Sequence, residues 1–300
     1  AQGTINIDSS GNLINNKGSI SSTKDAQINS DILNNDKGVI SSQASLTTHS
    51  TSLDNSGQIY SKDQTSITSK DAITNSGTIA SAGNTNISAG SLTQTGSGSL
   101  VAGMDTEGKL IEGNASNLTV NTTGNLVSQG QHIATGNVSL TGADVNLEGS
   151  TTQGQGITTK ATTGSLNTKN ASIAATDTLS LHSEGTLDNT QGNLSGKVLD
   201  ITASALNNTD GKLTQTGSKD LTLKMLEGIN NSRGEIASNS NNLTITTSGL
   251  DNSDGKIVHA GSATTNDSKA NKHTLNITVS RVNNTKGQVL SLGDQTWKGA

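Results

Sequence analysis

Five histidines stand singly in this sequence, at His49, His132, His182, His259 and His273. No HxH or HxxxH pairing puts two imidazoles on one face, and the absence of cysteine removes thiolate ligands, so no zinc site is expected. A GxxxxGK[ST] phosphate loop and a GxSxG nucleophile elbow are both missing. There is no Gly-Gly pair, which removes the GGxGxD calcium repeat, and no EF-hand loop either. The chemistry left open is that of converging carboxylates, as in β-helical polysaccharide-degrading enzymes. Here Asp and Glu are scattered, and Asp54, Asp188 and Asp251 sit beside Asn in turn slots, where local hydrogen bonding explains them. N-x-[ST] sequons such as Asn117-Leu118-Thr119 follow from composition alone, and Thr222, Thr244 and Thr246 do not extend into a regular threonine array. Neither a catalytic residue nor a cofactor is expected, and a polysaccharide-degrading β-helix stays as the remote enzymatic alternative.

Composition agrees with that reading. Aromatic residues are 1% of the 300, charged residues 14%, and Pro and Cys are absent. A layered globular core relies on large aromatic side chains for buried area, and they are almost wholly missing. The net charge of −5 carries no clustered Lys/Arg footprint, so no nucleic-acid partner is expected. No run approaches the ~20 apolar residues of a membrane span, and Ala1-Gln2-Gly3-Thr4 begins no signal peptide, so any targeting signal is expected outside this segment.

The elements that would position any site come from a repeat. INNKGSI, LNNDKGVI, LDNSGQI and ITNSGTI begin at Ile14, Leu33, Leu53 and Ile73, at spacings of 19, 20 and 20 residues. LDNTQGNL, LNNTDGKL, INNSRGEI, LDNSDGKI and VNNTKGQV begin at Leu187, Leu206, Ile229, Leu250 and Val282. The unit is aliphatic, any residue, Asn, one or two residues, Gly, any residue, aliphatic. Its Asn is read at Asn16, Asn35, Asn55, Asn75, Asn189, Asn208, Asn231, Asn252 and Asn284. Its Gly is read at Gly18, Gly38, Gly57, Gly77, Gly192, Gly211, Gly234, Gly255 and Gly287. Alternating runs such as Leu221/Leu223, Leu243/Ile245 and Leu275/Ile277/Val279 lie between them and read as further short strands.

A β unit of about twenty residues cannot bury its apolar face alone, whereas stacked copies align their aliphatic residues into columns. The fold expected is therefore all-β, a parallel β-solenoid, and the absence of Pro leaves every strand N–H free for the ladder. The Asn are expected to pair side-chain amides from coil to coil. The Gly are expected to supply positive φ at the corner.

Three stretches are distinguished: regular coils over 1–96, variant coils of the same solenoid over 97–184, and regular coils over 185–300 with a loop insertion near 259–273. A polar interruption, Gly103-Met104-Asp105-Thr106-Glu107-Gly108, and the 32-residue spacing from Leu250 to Val282 mark the extra residues. Loops leaving one face of a repeat array are where binding concentrates. His259, Asn266, Asp267, Lys269, Lys272 and His273 are accordingly the candidate partner contacts.

LDNSGQIYSKDQTSITS (Leu53 to Ser69) and ITNSGTIASAGNTNISAG (Ile73 to Gly90) resemble the haemagglutinin repeats of filamentous haemagglutinin-type exoproteins, including CdiA-type contact-dependent growth inhibition effectors. LVAGMDTEGKL (Leu100 to Leu110) and the stretch from Gly124 to Ser150 are similar to a block between such repeats. The resemblance covers essentially the whole chain. It implies a right-handed parallel β-helix, secreted through an outer-membrane two-partner transporter and held at the surface of a Gram-negative bacterium. No NPNG motif is present, so the resemblance puts the secretion domain, like any toxin region, outside this segment, which reads as an internal slice of a larger protein. The function implied is an adhesin or effector stalk projecting a binding or toxin region. The alternative is a module that itself touches a receptor or glycan on host or neighbouring bacterial cells.

Overall fold

A computed structural model describes residues 2–261 and 273–299. The chain divides into two compact units, Ala1–Gln155 and Gly156–Ala300, and each is a parallel β-solenoid. In the first unit one sheet stacks Ile5–Asp8, Ala26–Asn35, Leu46–Asn55, Thr65–Asn75, Thr85–Gln94, Leu118–Thr122 and Val138–Gly142, every pair parallel. A second sheet stacks Ser19–Ser22, Val39–Ser42, Gln58–Ser61, Thr78–Ser81, Ser99–Ala102, Gln131–Ala134 and Thr151–Gly154. The register Leu33, Leu53, Ile73, Leu92 repeats at 20, 20 and 19 residues, which is one coil.

The long strands each contain a corner. In Leu46–Asn55 the buried positions are Leu46 and Thr48 before the bend, then Leu53 and Asn55 after it. Ala26–Asn35 changes parity in the same way, whereas Thr65–Asn75 has one residue more at the bend, which the ladder shows as a register shift at Ser50/Ser52. The bend lets one continuous strand serve two faces of the coil. Inward side chains then form columns: Leu33, Leu53, Ile73 and Leu92 in one, Ile40, Ile59, Ile79 and Leu100 in another, all essentially inaccessible. In the second unit the matching columns are Leu187, Leu206, Ile229 and Leu250, and Ile173, Leu194, Leu213, Ile236 and Ile257. Small aliphatic residues suffice because each coil is thin and gains its burial from the coils on either side.

The corner glycines work differently from the expectation. None of Gly18, Gly38, Gly57, Gly77, Gly192, Gly211, Gly234, Gly255 or Gly287 has positive φ. The left-handed residue is the one before the glycine, at Lys17, Lys37, Gln191, Asp210, Arg233, Asp254 and Lys286, with φ of 51 to 56°. Glycine is needed for closeness instead. A Cβ on Gly77 would overlap the carbonyl oxygen of Gly57, and one on Gly234 that of Asn208, because each turn rests on the turn before it.

Candidate functional site

The Asn columns are the most ordered polar feature. In the first unit Asn15 Nδ2 donates to Asn35 Oδ1 (2.7 Å), Asn35 to Asn55 and Asn55 to Asn75 (each 2.8 Å), and Asn75 to Gln94 Oε1 (3.4 Å). In the second, Thr168 Oγ1 donates to Asn189 Oδ1, and Asn189, Asn208, Asn231 and Asn252 each donate to the next Asn, ending at Asn284, at 2.7 Å. Each amide also donates to a turn carbonyl, as Asn208 does to Gly211 O at 3.2 Å. Asn16 is not in the column. It is exposed, while Asn15 is buried, because Leu13 and not Ile14 is the partner of Leu33. The repeated Asn-Asn dipeptide made the two registers look alike in sequence.

Of the six candidate partner contacts, His259 and His273 are among the described residues. Asn266, Asp267, Lys269 and Lys272 lie outside the described residues. His259 is a core residue with no exposed surface: its Nε2 lies 2.8 Å from Ser240 O and its Nδ1 3.3 Å from Ser291 Oγ. It is therefore corrected from a surface contact to a buried polar member of the second sheet. Its ring meets that of His273 edge-on at 6.3 Å. The two histidines flank the insertion.

The stretch at Met104 is also a finding against a free binding loop. Thr85 pairs with Leu118, a step of 33 residues, so the excursion runs to residue 117. It folds back over the outer face of the second sheet, where Met104, like Ile133, packs against the cluster of Tyr60, Ala80 and Val101. Tyr60 Oη donates to Met104 O (3.2 Å), and burial, then the nearby Asp105 carboxylate, push the phenol pKa up. Asp105 Oδ1 accepts from the N–H groups of Glu107 and Lys109, which closes the tight turn.

His132 interrupts an aliphatic column between Leu100 and Thr152. Its Nε2 is 2.6 Å from Ser128 Oγ and its Nδ1 2.9 Å from Thr152 Oγ1, and burial lowers its pKa to about 4. Two hydroxyls satisfy a neutral ring, a structural use of histidine. Of the carboxylates, Asp210 is held below its ordinary range by a two-pronged hydrogen bond with Arg233 on the next coil, at 2.7 and 2.8 Å. Asp251 is lowered by the backbone N–H and hydroxyl of Ser253. Among the described residues no three His, Cys, Asp or Glu side chains gather where a metal could sit. Among the described residues no helix is long and apolar enough to cross a membrane.

One concave feature emerges that the sequence reading missed. An open groove of about 480 Å³ crosses five coils of the second unit, lined by the column Thr186, Ala205, Gly228, Gly249 and Arg281 and by the neighbouring Asn207, Asn230, Asp251 and Asn283, with Glu227 at its side. Each floor residue stands immediately before an aliphatic repeat anchor. The signal available in sequence was the pair of glycines in a place where the first unit carries Ile32, Ser52 and Ala72.

Residues 1–77, 44–127, 214–272 and 258–296 match the haemagglutinin repeat. A stretch of 157 residues, 52% of the chain, is 30% identical to the toxin CdiA of Yersinia pestis. A stretch of 109 residues, 36% of the chain, is 33% identical to the tRNA nuclease CdiA-2 of Burkholderia pseudomallei. These matches span 5% and 3% of the two relatives' lengths. No solved structure matches significantly.

Proposed function

Because the chain belongs to the haemagglutinin-repeat family, we propose that it is a filament segment of a large two-partner-secreted adhesin or contact-dependent growth inhibition protein. It works as a structural spacer that projects a binding or toxin region from a Gram-negative cell surface, and it performs no chemistry of its own. The observation that carries this reading is the repeated stacking of coils among the described residues of each unit: aliphatic columns inside, an amide column at the corner, and outward rows of Ser, Thr and Asn. A module of this kind can be lengthened by whole coils without redesign, which suits a spacer. Its small share of the length of the CdiA relatives supports the same view. The stretches 1–96, 97–184 and 185–300 are then changes of coil type along one spacer. Its proposed partners are the outer-membrane transporter during export and, through other regions of the parent, a receptor on host or neighbouring cells. A chain without cysteine crosses an oxidising compartment with no disulfide to form before it winds up.

The test is an exchange. Residues 1–300 replace an equal number of haemagglutinin-repeat coils in a CdiA-type exoprotein, beside a version in which those coils are deleted. The spacer reading expects surface display and target-cell inhibition to survive the exchange and to fall on deletion. Loss of inhibition with normal surface display in the exchanged protein would show that the coils do more than hold distance.

A further inference from the structure

The inward residues of the second unit do not tell one coil from the next. Leu206, Ile229, Leu250 and Val282 follow one another in one column, and Leu213, Ile236, Ile257 and Val289 in another. Asn208, Asn231, Asn252 and Asn284 do the same in the amide column. A coil that docked one step too far would meet the same kinds of side chain. The loop it closed would be about twice as long, which lowers the probability of closure only about threefold. Chain order needs a signal outside the core.

The outward residues on either side of the corner glycine do differ. Before it stand Asp210, Arg233, Asp254 and Lys286, all exposed and all left-handed, with φ of 52 to 56°. Glycine would adopt that backbone at lower cost, so the turn itself does not ask for charged side chains here. The four are stacked coil on coil: Asp210 N–H donates to Ser232 O, Arg233 N–H to Ser253 O and Asp254 N–H to Thr285 O. After the glycine stand Lys212, Glu235, Lys256 and Gln288, each the ladder partner of the next. The first row therefore reads minus, plus, minus, plus, and the second plus, minus, plus, neutral. Arg233 reaches Asp210 through two hydrogen bonds of 2.8 and 2.7 Å, and Asp254 on the following coil adds to the field that holds its guanidinium charged. Asp251, a further carboxylate on the coil of Asp254, accepts from Ser253 N–H and the Asn283 amide.

We propose that these two rows are a register code: their alternating signs hold each coil to its immediate neighbour and repel a coil that docks one step too far. In chain order Asp210 lies beside Arg233, and Lys212 beside Glu235. With the coil of Arg233 skipped, Asp210 would lie beside Asp254 and Lys212 beside Lys256. Two like-charged pairs would then replace two opposite ones, and like charges on neighbouring strands are destabilising. The next step obeys the same rule, since skipping the coil of Asp254 would set Arg233 beside Lys286. The inference goes beyond the spacer reading, because it concerns how the chain winds, and it stands or falls separately.

An introduced cysteine pair reports which coils are neighbours, because the chain has no cysteine of its own. Thr214 is the ladder partner of Ala237, and Ala237 of Val258. Thr214 and Val258 thus stand two strand spacings, about 9.6 Å, apart and beyond disulfide reach. In a wound chain, Thr214→Cys with Val258→Cys bonds only when the coil between is skipped. The 300-residue chain carrying this pair is refolded from urea in a glutathione redox buffer, and the disulfide is quantified by peptide mapping of the folded fraction. At low salt the bonded fraction is expected to rise about threefold with Asp210→Asn plus Lys212→Gln, which erases the charges of the first coil and keeps a residue suited to left-handed backbone. It should rise further with Asp210→Arg plus Lys212→Glu, which makes that coil repel its neighbour and attract the one beyond. In 1 M salt, where screening acts over about 3 Å, the three chains should converge. The bond forms during winding, so a variant of lowered final stability still reports. Equal fractions in all three chains at low salt, or a difference that 1 M salt leaves intact, would overturn the proposal. Neither outcome touches the coil-exchange result.

Discussion

A buried asparagine has two amide hydrogens and a carbonyl to satisfy, and in this chain the neighbouring coils satisfy them in a fixed sense. Asn208 Nδ2 reaches Asn231 Oδ1, Gly211 O and Glu235 O, so removing an amide strands donors and acceptors on both adjacent coils. Asn231→Ala is therefore expected to cost about 1–3 kcal/mol, the usual penalty for buried groups left unpaired. Asn230→Ala, one residue earlier and facing out, should cost well under about 1 kcal/mol, and equal urea midpoints for the pair would remove the amide column from the account. His132 makes a second residue-scale prediction. Its pKa falls from 6.5 unfolded to about 4 folded because burial disfavours the imidazolium. The unfolded chain thus binds the proton first. The stability held above pH 6.5 is lost as pH falls toward 4, by about 3 kcal/mol in all. His132→Gln should flatten that part of the pH profile of urea unfolding relative to the parent chain, and identical profiles would show the ring to be neutral to pH.

Strands of four or five residues have no stability of their own, and here each is held by parallel partners above and below. Ile79 sits at zero exposure between Ile59 and Leu100 in the second sheet. Ile79→Asp would bury an unpaired carboxylate, expected to cost about 3 kcal/mol or more. Hydrogen exchange should then accelerate first in Gln58–Ser61 and Ser99–Ala102. The same change at Leu290, which is 48% exposed, should leave protection nearly unaltered. The excursion at Met104 shows how an element can be added at low cost. The insertion leaves the coil after Ser99–Ala102 and re-enters at Leu118 in register, so no downstream side chain changes face. Its own apolar residue covers Tyr60 on the outer sheet, which turns a potential loop into a strap.

At the scale of the molecule, stability belongs to nearest neighbours, so whole coils are the natural unit of change. Leu46 pairs with Thr65, and deleting residues 46–64 joins Ser45 to Thr65 with every later residue on its original face. That variant should keep a β spectrum in far-ultraviolet circular dichroism and melt within a few degrees of the parent. Deleting 46–55 removes half a coil and puts buried and exposed positions out of phase, and should lose the cooperative melt. The amide columns add a direction to this growth. Every donor points from one coil to the next toward the C-terminus, so a newly formed coil meets a donor already waiting on the coil before it. For the exported filament proposed above, that polarity would suit N-terminal coils forming first.

Aliphatic spacing of about twenty residues, with Asn and Gly at fixed offsets, determined the parallel solenoid and its columns from sequence alone. That periodicity is written directly in residue types, since the thin stacked core is filled mainly by aliphatic side chains, with His132 and His259 as buried polar exceptions, and the turns carry short polar ones. Three things were left to tertiary structure. Asn15 rather than Asn16 joins the column because adjacent identical residues point to opposite faces, and only the pairing of Leu13 with Leu33 decides between them. The corner glycines answer to the carbonyl of the previous coil, a contact between residues about twenty apart that no local pattern displays. His259, like the groove from Thr186 to Arg281, depended on which face each strand presents: the histidine turns inward, and the groove exists only where five coils line up the position before the aliphatic anchor, with small residues at Ala205, Gly228 and Gly249.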